Sequence, residues 1–600
     1  MANYYTDSAE WKYHFKNSIN WDAILPLYYP TFPTADGFQN RDEVLQFLEE
    51  LLTTTGKWAA ESLAPRSKEL DKQGAGTLLN GVFTPSEALN KTYQEAKELD
   101  LFGLCMAPHH GGMGVPTIVG LLALEQISKT CVSTMSQLGF FTSIADMIER
   151  FCDKDIQDKY IPMIRNGEIS GCMCMTEPDA GSDVGSLRTT AKKQPDGSYL
   201  VNGVKIFITN GGGGLAFVLG RIDGAPKGLE GLSLFFIEQW PNADRSAKPN
   251  YLVTKLEEKM GMHGSATCEL VFENSKARLV GGENEGFKVM LHLMNEARIC
   301  VGLQGLAITE GALAAARTYA EGRQQFGKPL MELPLFKRNF NEWETELDAF
   351  RALMADTFTY FDIYTRLDLK KRRTDDLTAD EVKLQQKAGR RVRRRTPLVK
   401  YYGAEMSATL TQRAIQALGG YGYMAEYEVE RFHRDCFGPL LYEGTSQIQA
   451  LMSMKDLVKF MMKEPARFIQ SIVGNHPLTT IGDSSVKKAL TSSLYEYRKH
   501  VTMLVVRCFR PDLQLSEMNF TQTLGQLKSI IRGDFWQEEG RFDKLMTHAE
   551  TMCQALSYIE TLKVLAKHAA KDSSRVALFD RYHKLIQPRF AAIFADWKLG

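Results

Sequence analysis

The chain has 600 residues and a mass of 67.6 kDa, room for roughly four domains of ordinary size. Seventy-two Lys and Arg balance 72 Asp and Glu, so the formal charge is zero, which argues against a dedicated nucleic-acid binder. At 44% apolar and 24% charged residues the chain is globular rather than disordered, and ten scattered cysteines without a CxxC pair make neither a disulfide scaffold nor a zinc ribbon.

The first segment, residues 1–40, opens without the basic and apolar pattern of a secretory leader. No apolar run in the chain approaches the roughly 18 residues of a membrane span. Buried reduced thiols suit a reducing compartment, so the expected location is cytoplasmic. Residues 41–167 read as a helical domain. Val44, Leu45, Phe47, Leu48, Leu51 and Leu52 recur at helix spacing behind Asp42 as an N-cap, and residues 117–127 have the composition of a buried helix. Nothing before Cys172 reads as a run of strands.

Residues 168–282 read as a small all-β domain. Pro195-Asp196-Gly197 and Asn202-Gly203 have the form of hairpin turns around apolar runs at 199–201 and 204–208, and further strands are expected at 231–237 and 269–272. Helical patterning returns at Gly286 and defines a bundle over 283–463. Within it, residues 370–380 read as a solvated connection. Arg390, Arg391, Arg393, Arg394 and Arg395 read as a solvated or intersubunit helix face. Residues 464–485, with Pro465, Gly474, Pro477 and Gly482, read as a linker. Val486, Leu490, Leu494, Tyr497, Val501 and Leu504 then start an extension of amphipathic helices, 464–600 in all. The expected fold is mainly α with a central all-β domain.

Four segments carry candidate chemistry. The loop Met175-Thr176-Glu177-Pro178-Asp179-Ala180-Gly181-Ser182-Asp183 offers hydroxyl and N–H donors to a cofactor, or is a long structural turn. In Lys205-Ile206-Phe207-Ile208-Thr209-Asn210, alternation places Phe207 and Thr209 on one strand face, where they suit a flat heteroaromatic ring; Gly211 to Gly214 lack the strand-to-helix context of a dinucleotide loop and read as a hairpin turn. Arg323-Gln324-Gln325-Phe326-Gly327-Lys328-Pro329 combines helix-stop residues with an arginine able to pair with a pyrophosphate. Last, Gln416-Ala417-Leu418-Gly419-Gly420-Tyr421-Gly422-Tyr423 precedes Arg434-Asp435 and Tyr442-Glu443-Gly444-Thr445-Ser446-Gln447-Ile448-Gln449. Thr445 is a good N-cap, which puts Glu443 at the positive end of a helix beside an apolar flank. A carboxylate so placed is either a general base or an ordinary solvated Glu.

In this order and spacing the motifs resemble the acyl-CoA dehydrogenase family, over residues 40–460. Gly224-Ala225-Pro226-Lys227-Gly228, the segment from Lys259 to Cys268, Thr396-Pro397-Leu398-Val399-Lys400 and the extra C-terminal helices resemble its longer bacterial branch, which includes broad-range acyl-CoA and 3-methylmercaptopropionyl-CoA dehydrogenases. The resemblance implies a helical N-domain, a β-barrel-like middle domain and a helical-bundle domain. It implies FAD, with Met175, Thr176, Phe207 and Thr209 at the flavin, and Ser182 near the CoA chain and the FAD pyrophosphate. Arg323, Phe326, Gln416, Gly419 and Gly420 would hold the ADP half of FAD from a neighbouring subunit in a homodimer or homotetramer, with Thr445 and Gln447 closing over it. Glu443 matches the catalytic base of acyl-CoA α,β-dehydrogenation to trans-2-enoyl-CoA; Arg298, Tyr442 and Gly444 fall on the substrate side, and an electron-transfer flavoprotein is the implied acceptor.

Some relatives carry the base immediately before the Arg matched here by Arg298; this chain has Ala297 there, and Glu296 is about 100° around the helix. Phe207 stands where the family usually has Trp. An acyl-CoA oxidase is the nearest rival, though its motif usually reads YEGD where this chain has Tyr442-Glu443-Gly444-Thr445. A flavin-containing DNA-associated relative without enzyme chemistry is the other, but 19 basic against 13 acidic residues over 465–600 is too mild for it. None of the histidines shows metal-ligand spacing, and no metal is expected.

Overall fold

The computed structural model describes residues 2–241, 247–374, 376–510, 513, 519–532 and 540–599. The Arg41–Trp58 helix buries Val44, Leu48 and Leu52, the stripe its sequence sets out. Its cap is Asn40 rather than Asp42: the Asn40 side chain accepts the Glu43 N–H, and the Glu43 carboxylate accepts the Gln39 N–H at 2.7 Å. Asp42 instead lies in the first turn, where it favours the helix dipole. The Thr117–Ser128 helix is buried nearly all round, as its composition requires.

Strands do occur before Cys172. Gly76–Leu79 (β1) and Val82–Pro85 (β2) pair antiparallel in a two-residue hairpin, with Leu79 opposite Val82. Its turn is Asn80-Gly81, both at positive φ (51° and 78°), the backbone that the right-handed twist of a tight hairpin needs.

Among its described residues the middle domain has seven strands: Ser170–Cys174 (β3), Thr190–Lys193 (β4), Tyr199–Thr209 (β5), Gly214–Ile222 (β6), Leu232–Glu238 (β7), Leu252–Leu256 (β8) and Thr267–Val280 (β9). The ladder β6-β4-β5-β9-β7 returns to β6 through a β6–β7 pairing, which closes a barrel and leaves those strands no free edge; β3 joins on β6 and β8 on β9. Residues 215–219 and 232–237 fill the barrel core as near-continuous apolar runs. Pro195-Asp196-Gly197 is the β4–β5 hairpin turn. Asn202-Gly203 is not a turn; it lies inside β5 at a bulge, where a Cβ on Gly203 would come within 2.3 Å of Thr189 Oγ1. The glycines at 211–214 are likewise no hairpin, since β5 and β6 are separated by β4.

The helical bundle follows: Gly286–Gly322, Pro334–Thr374, Ala379–Leu418 and Ser446–Lys463. Among the described residues, Gly286–Gly322 is long and apolar enough by composition to cross a membrane, against the sequence expectation that no run approaches that length; 78% of its most apolar stretch is buried in the protein. The connection expected at 370–380 is short, because the helices run on to Thr374 and start again at Ala379 behind a Thr378–Glu381 capping box.

The arginine run is not a simple solvated face. Arg395 is buried and donates to Asp356, Arg394 lies 2.6 Å from Glu560, and Arg393 pairs with Asp456. The 464–485 segment is no loose linker either. It folds as the Pro465–Val473 helix, with Phe468 and Ile472 buried, and a short 3₁₀ turn at Pro477–Thr480. Ser485–Phe509 buries Val486, Leu494, Tyr497, Val501 and Leu504, the predicted stripe, and packs with Ala549–Lys571 and Val576–Leu599. The architecture is thus mainly helical around a β-barrel-like middle domain, with further helices at the C-terminal end.

Candidate active site

Glu443 stands at a sharp reversal. It adopts φ 57° and Gly444 φ 88°, two left-handed residues in a row, before Thr445 caps the Ser446–Lys463 helix by accepting the Ile448 N–H. At φ 88° Gly444 holds a conformation that side chains rarely adopt, and a Cβ there would also displace Gln449 Nε2, 2.7 Å away. Arg298 Nε and Gln449 Nε2 donate to the Glu443 carbonyl at 3.1 and 2.9 Å and pin the turn from two sides.

The Glu443 side chain is left free. Its Oε2 is shut off from solvent and makes no hydrogen bond to the protein. Burial pushes its pKa up to about 7, against the opposing pull of Arg298 and then Lys400. Lys400 is itself buried; it donates to the Leu440 carbonyl at 3.3 Å, and burial draws its pKa down to about 8. Arg298 is also buried, with Nη1 unpaired. Tyr442 Oη donates to Gln304 Oε1 at 2.6 Å and touches Met262 Sδ, and the Met262 N–H donates to Asp435, so barrel and bundle meet beside the carboxylate.

A second group forms on the barrel. Lys205 Nζ, fully buried, donates to Glu177 Oε1 at 2.8 Å and to the Met175 carbonyl at 3.1 Å; Glu177 also accepts the Arg188 and Thr189 N–H groups. The Ile206 N–H donates to the Thr176 carbonyl. Met175 and Thr176 are thereby strapped to β5 next to a bulge that puts Phe207 at φ 59°, 61% exposed, while Ile208 stays buried and Thr209 is half-buried. Ser182 is exposed farther along the same loop.

A third group lies where Gly286–Gly322 ends. Arg323, Gln416, Gly419 and Gly420 line an open cavity of about 590 Å³, with the Arg323 guanidinium over the Tyr421 ring. Phe326 projects from a two-residue hairpin at φ 53° and is 88% exposed. Gln447 points elsewhere and donates to Glu550 of the C-terminal extension at 3.0 Å. Phe207 and Phe326 are large apolar faces standing in water at the positions expected to hold a flat ring and a nucleotide, so the donors and surfaces present fit FAD.

Sequence reasoning gave no role to Lys400 or Gln449, though both lie inside quoted motifs, and did not reach Gln304 or its partner Ser136. Among the described residues two carboxylate–histidine groups have ligand atoms within 4.8 Å, His109–His110–Glu149 and Asp146–His292–Glu296, but a guanidinium already pairs with each: Arg373 with Glu149 and Arg150 with Asp146.

Three family profiles match the chain in order: acyl-CoA dehydrogenase N-terminal domain over 47–168, middle domain over 172–275, and C-terminal domain over 284–365 and 374–458. An acyl-CoA dehydrogenase of Bacillus subtilis is 33% identical over 384 residues, 62% of this chain and 93% of that protein. The 3-methylmercaptopropionyl-CoA dehydrogenase of Ruegeria pomeroyi is 31% identical over 438 residues, 70% of this chain and 72% of that one. Among solved structures, the acyl-CoA dehydrogenase of Bacillus anthracis complexed with FAD matches with a TM-score of 0.72 at 22% identity, over 98% of this chain and 91% of that one, so the likeness of fold runs through the C-terminal helices. The profiles cover well over half of the 600 residues and the Bacillus subtilis relative is matched almost end to end: the chain belongs to the acyl-CoA dehydrogenase family of oxidoreductases.

Proposed function

We propose that the chain oxidises an acyl-CoA thioester to the trans-2-enoyl-CoA, with FAD as cofactor and Glu443 as the base. The observation that carries this reading is the unpaired, water-shielded Oε2 of Glu443, carried on a turn of two left-handed residues. Bound FAD supplies the acceptor for the β hydride; the residues to hold it are Met175, Thr176, Phe207 and Thr209 at the ring, and Arg323, Gln416, Gly419 and Gly420 at the nucleotide. Glu443 takes the α proton, which the thioester carbonyl acidifies. Arg298 and Gln449, by fixing the Glu443 carbonyl, hold the turn from which the carboxylate projects, so that positioning adds to intrinsic basicity. Tyr442 and Met262 close the apolar side and exclude water from the base.

Electrons pass to an electron-transfer flavoprotein in this proposal. A chain 28% identical, with TM-score 0.56, comes from a structure described as the electron transferring flavoprotein of Acidaminococcus fermentans. The exposed Phe326 and the open cavity beside Arg323 support a second copy of the chain at that face, and ten free thiols support a reducing, cytoplasmic setting.

The test is anaerobic titration of the purified holoenzyme with acyl-CoAs of graded length, read as loss of flavin absorbance. Bleaching by some members of the series is expected; a protein that takes up no FAD, or a yellow protein that none of them bleaches, sinks the reading. The pH dependence follows from Glu443. The base acts as carboxylate, and its pKa is raised to about 7, so kcat/KM is full above that pH and falls about tenfold per unit below it. A flat profile between pH 5 and 8 would contradict the assignment.

A further inference from the structure

The Gly286–Gly322 helix carries Glu296, Cys300 and Gln304 on one face, each one turn from the next. Two bonds lock this face against the Val132–Phe151 helix. Gln304 Nε2 donates to Ser136 Oγ at 3.1 Å, and Ser143 Oγ donates to Glu296 Oε1 at 3.1 Å. The pairings run in opposite directions, so the two helices are antiparallel along this face. One end is Gln304, bonded to Tyr442 next to the base. The other end is Glu296, about 12 Å away along the helix. Gly139 stands between them on the facing helix, and a Cβ there would meet nothing within 4 Å, so there is open space beside the middle of this face. At the Glu296 end lies a cavity of about 200 Å³ that Gly139, Ser143 and Glu296 line together with many apolar side chains, Phe102, Leu138 and Phe361 among them.

One side of this cavity carries a polar cluster. Asp146 accepts from Arg150 Nε at 2.6 Å and lies 3.1 Å from His292 Nε2, and Arg150 also holds the Thr365 carbonyl and Asp368. Asp146 and Arg150 therefore satisfy one another. Glu296 does not share in this: among the described residues its one hydrogen-bond donor is Ser143. Burial, and then Asp146, push its pKa up to about 7, the sign of a carboxyl short of partners. A plain methyl terminus arriving here would shut that carboxyl away from water with a single bond. A terminus that donates a hydrogen bond would satisfy it.

We propose that the acyl group this chain oxidises ends in a hydrogen-bond donor, a hydroxyl or an ammonium, received by Glu296 and Ser143. The proposal rests on the dehydrogenase reading above and names its substrate class. It also separates two carboxylates on neighbouring elements: Glu443 for the α proton, Glu296 for the far end.

The test uses octanoyl-CoA, 8-hydroxyoctanoyl-CoA and 8-aminooctanoyl-CoA, with their hexanoyl and decanoyl counterparts, in anaerobic flavin bleaching by the holoenzyme. At the best chain length, one of the two donor-bearing substrates is expected to exceed the plain chain in kcat/KM by about tenfold or more, since a buried polar site left unpaired rejects the analogue lacking the partner. Glu296→Leu is expected to reverse that preference. Glu296→Gln, which keeps the volume and the acceptor oxygen if the Leu variant does not fold, is expected to keep the hydroxyl preference and lose the ammonium one. Equal or faster bleaching by the plain chains, unchanged by either variant, overturns this inference and leaves the dehydrogenase reading intact. A holoenzyme bleached by no substrate in the set overturns both.

Discussion

Replacing Glu443 with Gln lowers the rate of flavin reduction by an acyl-CoA by about 10²–10⁴-fold, the usual contribution of a positioned general base. The variant keeps the shape of the side chain and removes its ability to take a proton. The contacts that shape the turn survive, because Arg298 and Gln449 hold the backbone carbonyl of residue 443 and not its carboxylate. Flavin content and acyl-CoA binding are therefore expected to stay near wild type while the bleaching rate collapses. Glu443→Asp should fall between the two, since it retains the acid but draws it back by one methylene from a reacting carbon it has to meet at close range. The acid limb of the pH profile, set near 7 by burial in the parent protein, should vanish from the residual activity of the Gln variant. Near-full bleaching in the Gln variant would place the base elsewhere and withdraw the assignment.

The catalytic turn was legible because its chemistry is local. Thr445 as a cap, Glu443 just ahead of it and Gly444 between them are three consecutive residues whose geometry follows from short-range rules. Arg298 was reached only through the family resemblance, and Lys400 and Gln304 as tuning residues not at all, since all three come from other helices and reach Glu443 or Tyr442 only through the packing of the bundle. The dipeptide Asn-Gly shows the same limit. At 80–81 it is a hairpin turn that the run of helices around it hid; at 202–203 it looks like a turn and is a bulge, because Thr189 of the adjoining chain segment presses against Gly203 and β5 continues past it. The arginine run misled for a related reason. Charge periodicity along one helix says which face is polar, but not that Asp356, Asp456 and Glu560 on other helices will cover that face.

Those acidic partners carry the largest expected effect on stability. Glu560 is buried on the Ala549–Lys571 helix and is met by Arg394 at 2.6 Å, Lys563 at 2.8 Å and Arg395 at 3.6 Å; Asp356 takes Arg395 and, at 2.9 Å, Lys567. Burial alone would raise both carboxyl pKa values, but the surrounding cations win: Glu560 is held well below the usual range and Asp356 at about 2. Glu560→Ala leaves buried cations facing one another, and is expected to cost about 3–5 kcal/mol, the penalty for removing one partner of a buried ion pair. The loss should appear first as detachment of the C-terminal helices, read by limited proteolysis in the 464–485 segment and by an early phase in urea unfolding, while the bundle holding Glu443 stays folded. Both carboxyls have depressed native pKa values, so their contribution is complete above the ordinary carboxylate range and is lost as pH falls from about 4 to 2. The Ala variant should lose less stability than wild type over that interval. A buried ion network also pays heavily for desolvation, so substituting Met for Arg394 and Arg395 together with Leu for Glu560 should recover part of the loss that Glu560→Ala causes. If the triple variant is as unstable as the single one, uncompensated charge is not what unseats the extension, and the side-chain volume lost at residue 560 is the alternative to pursue.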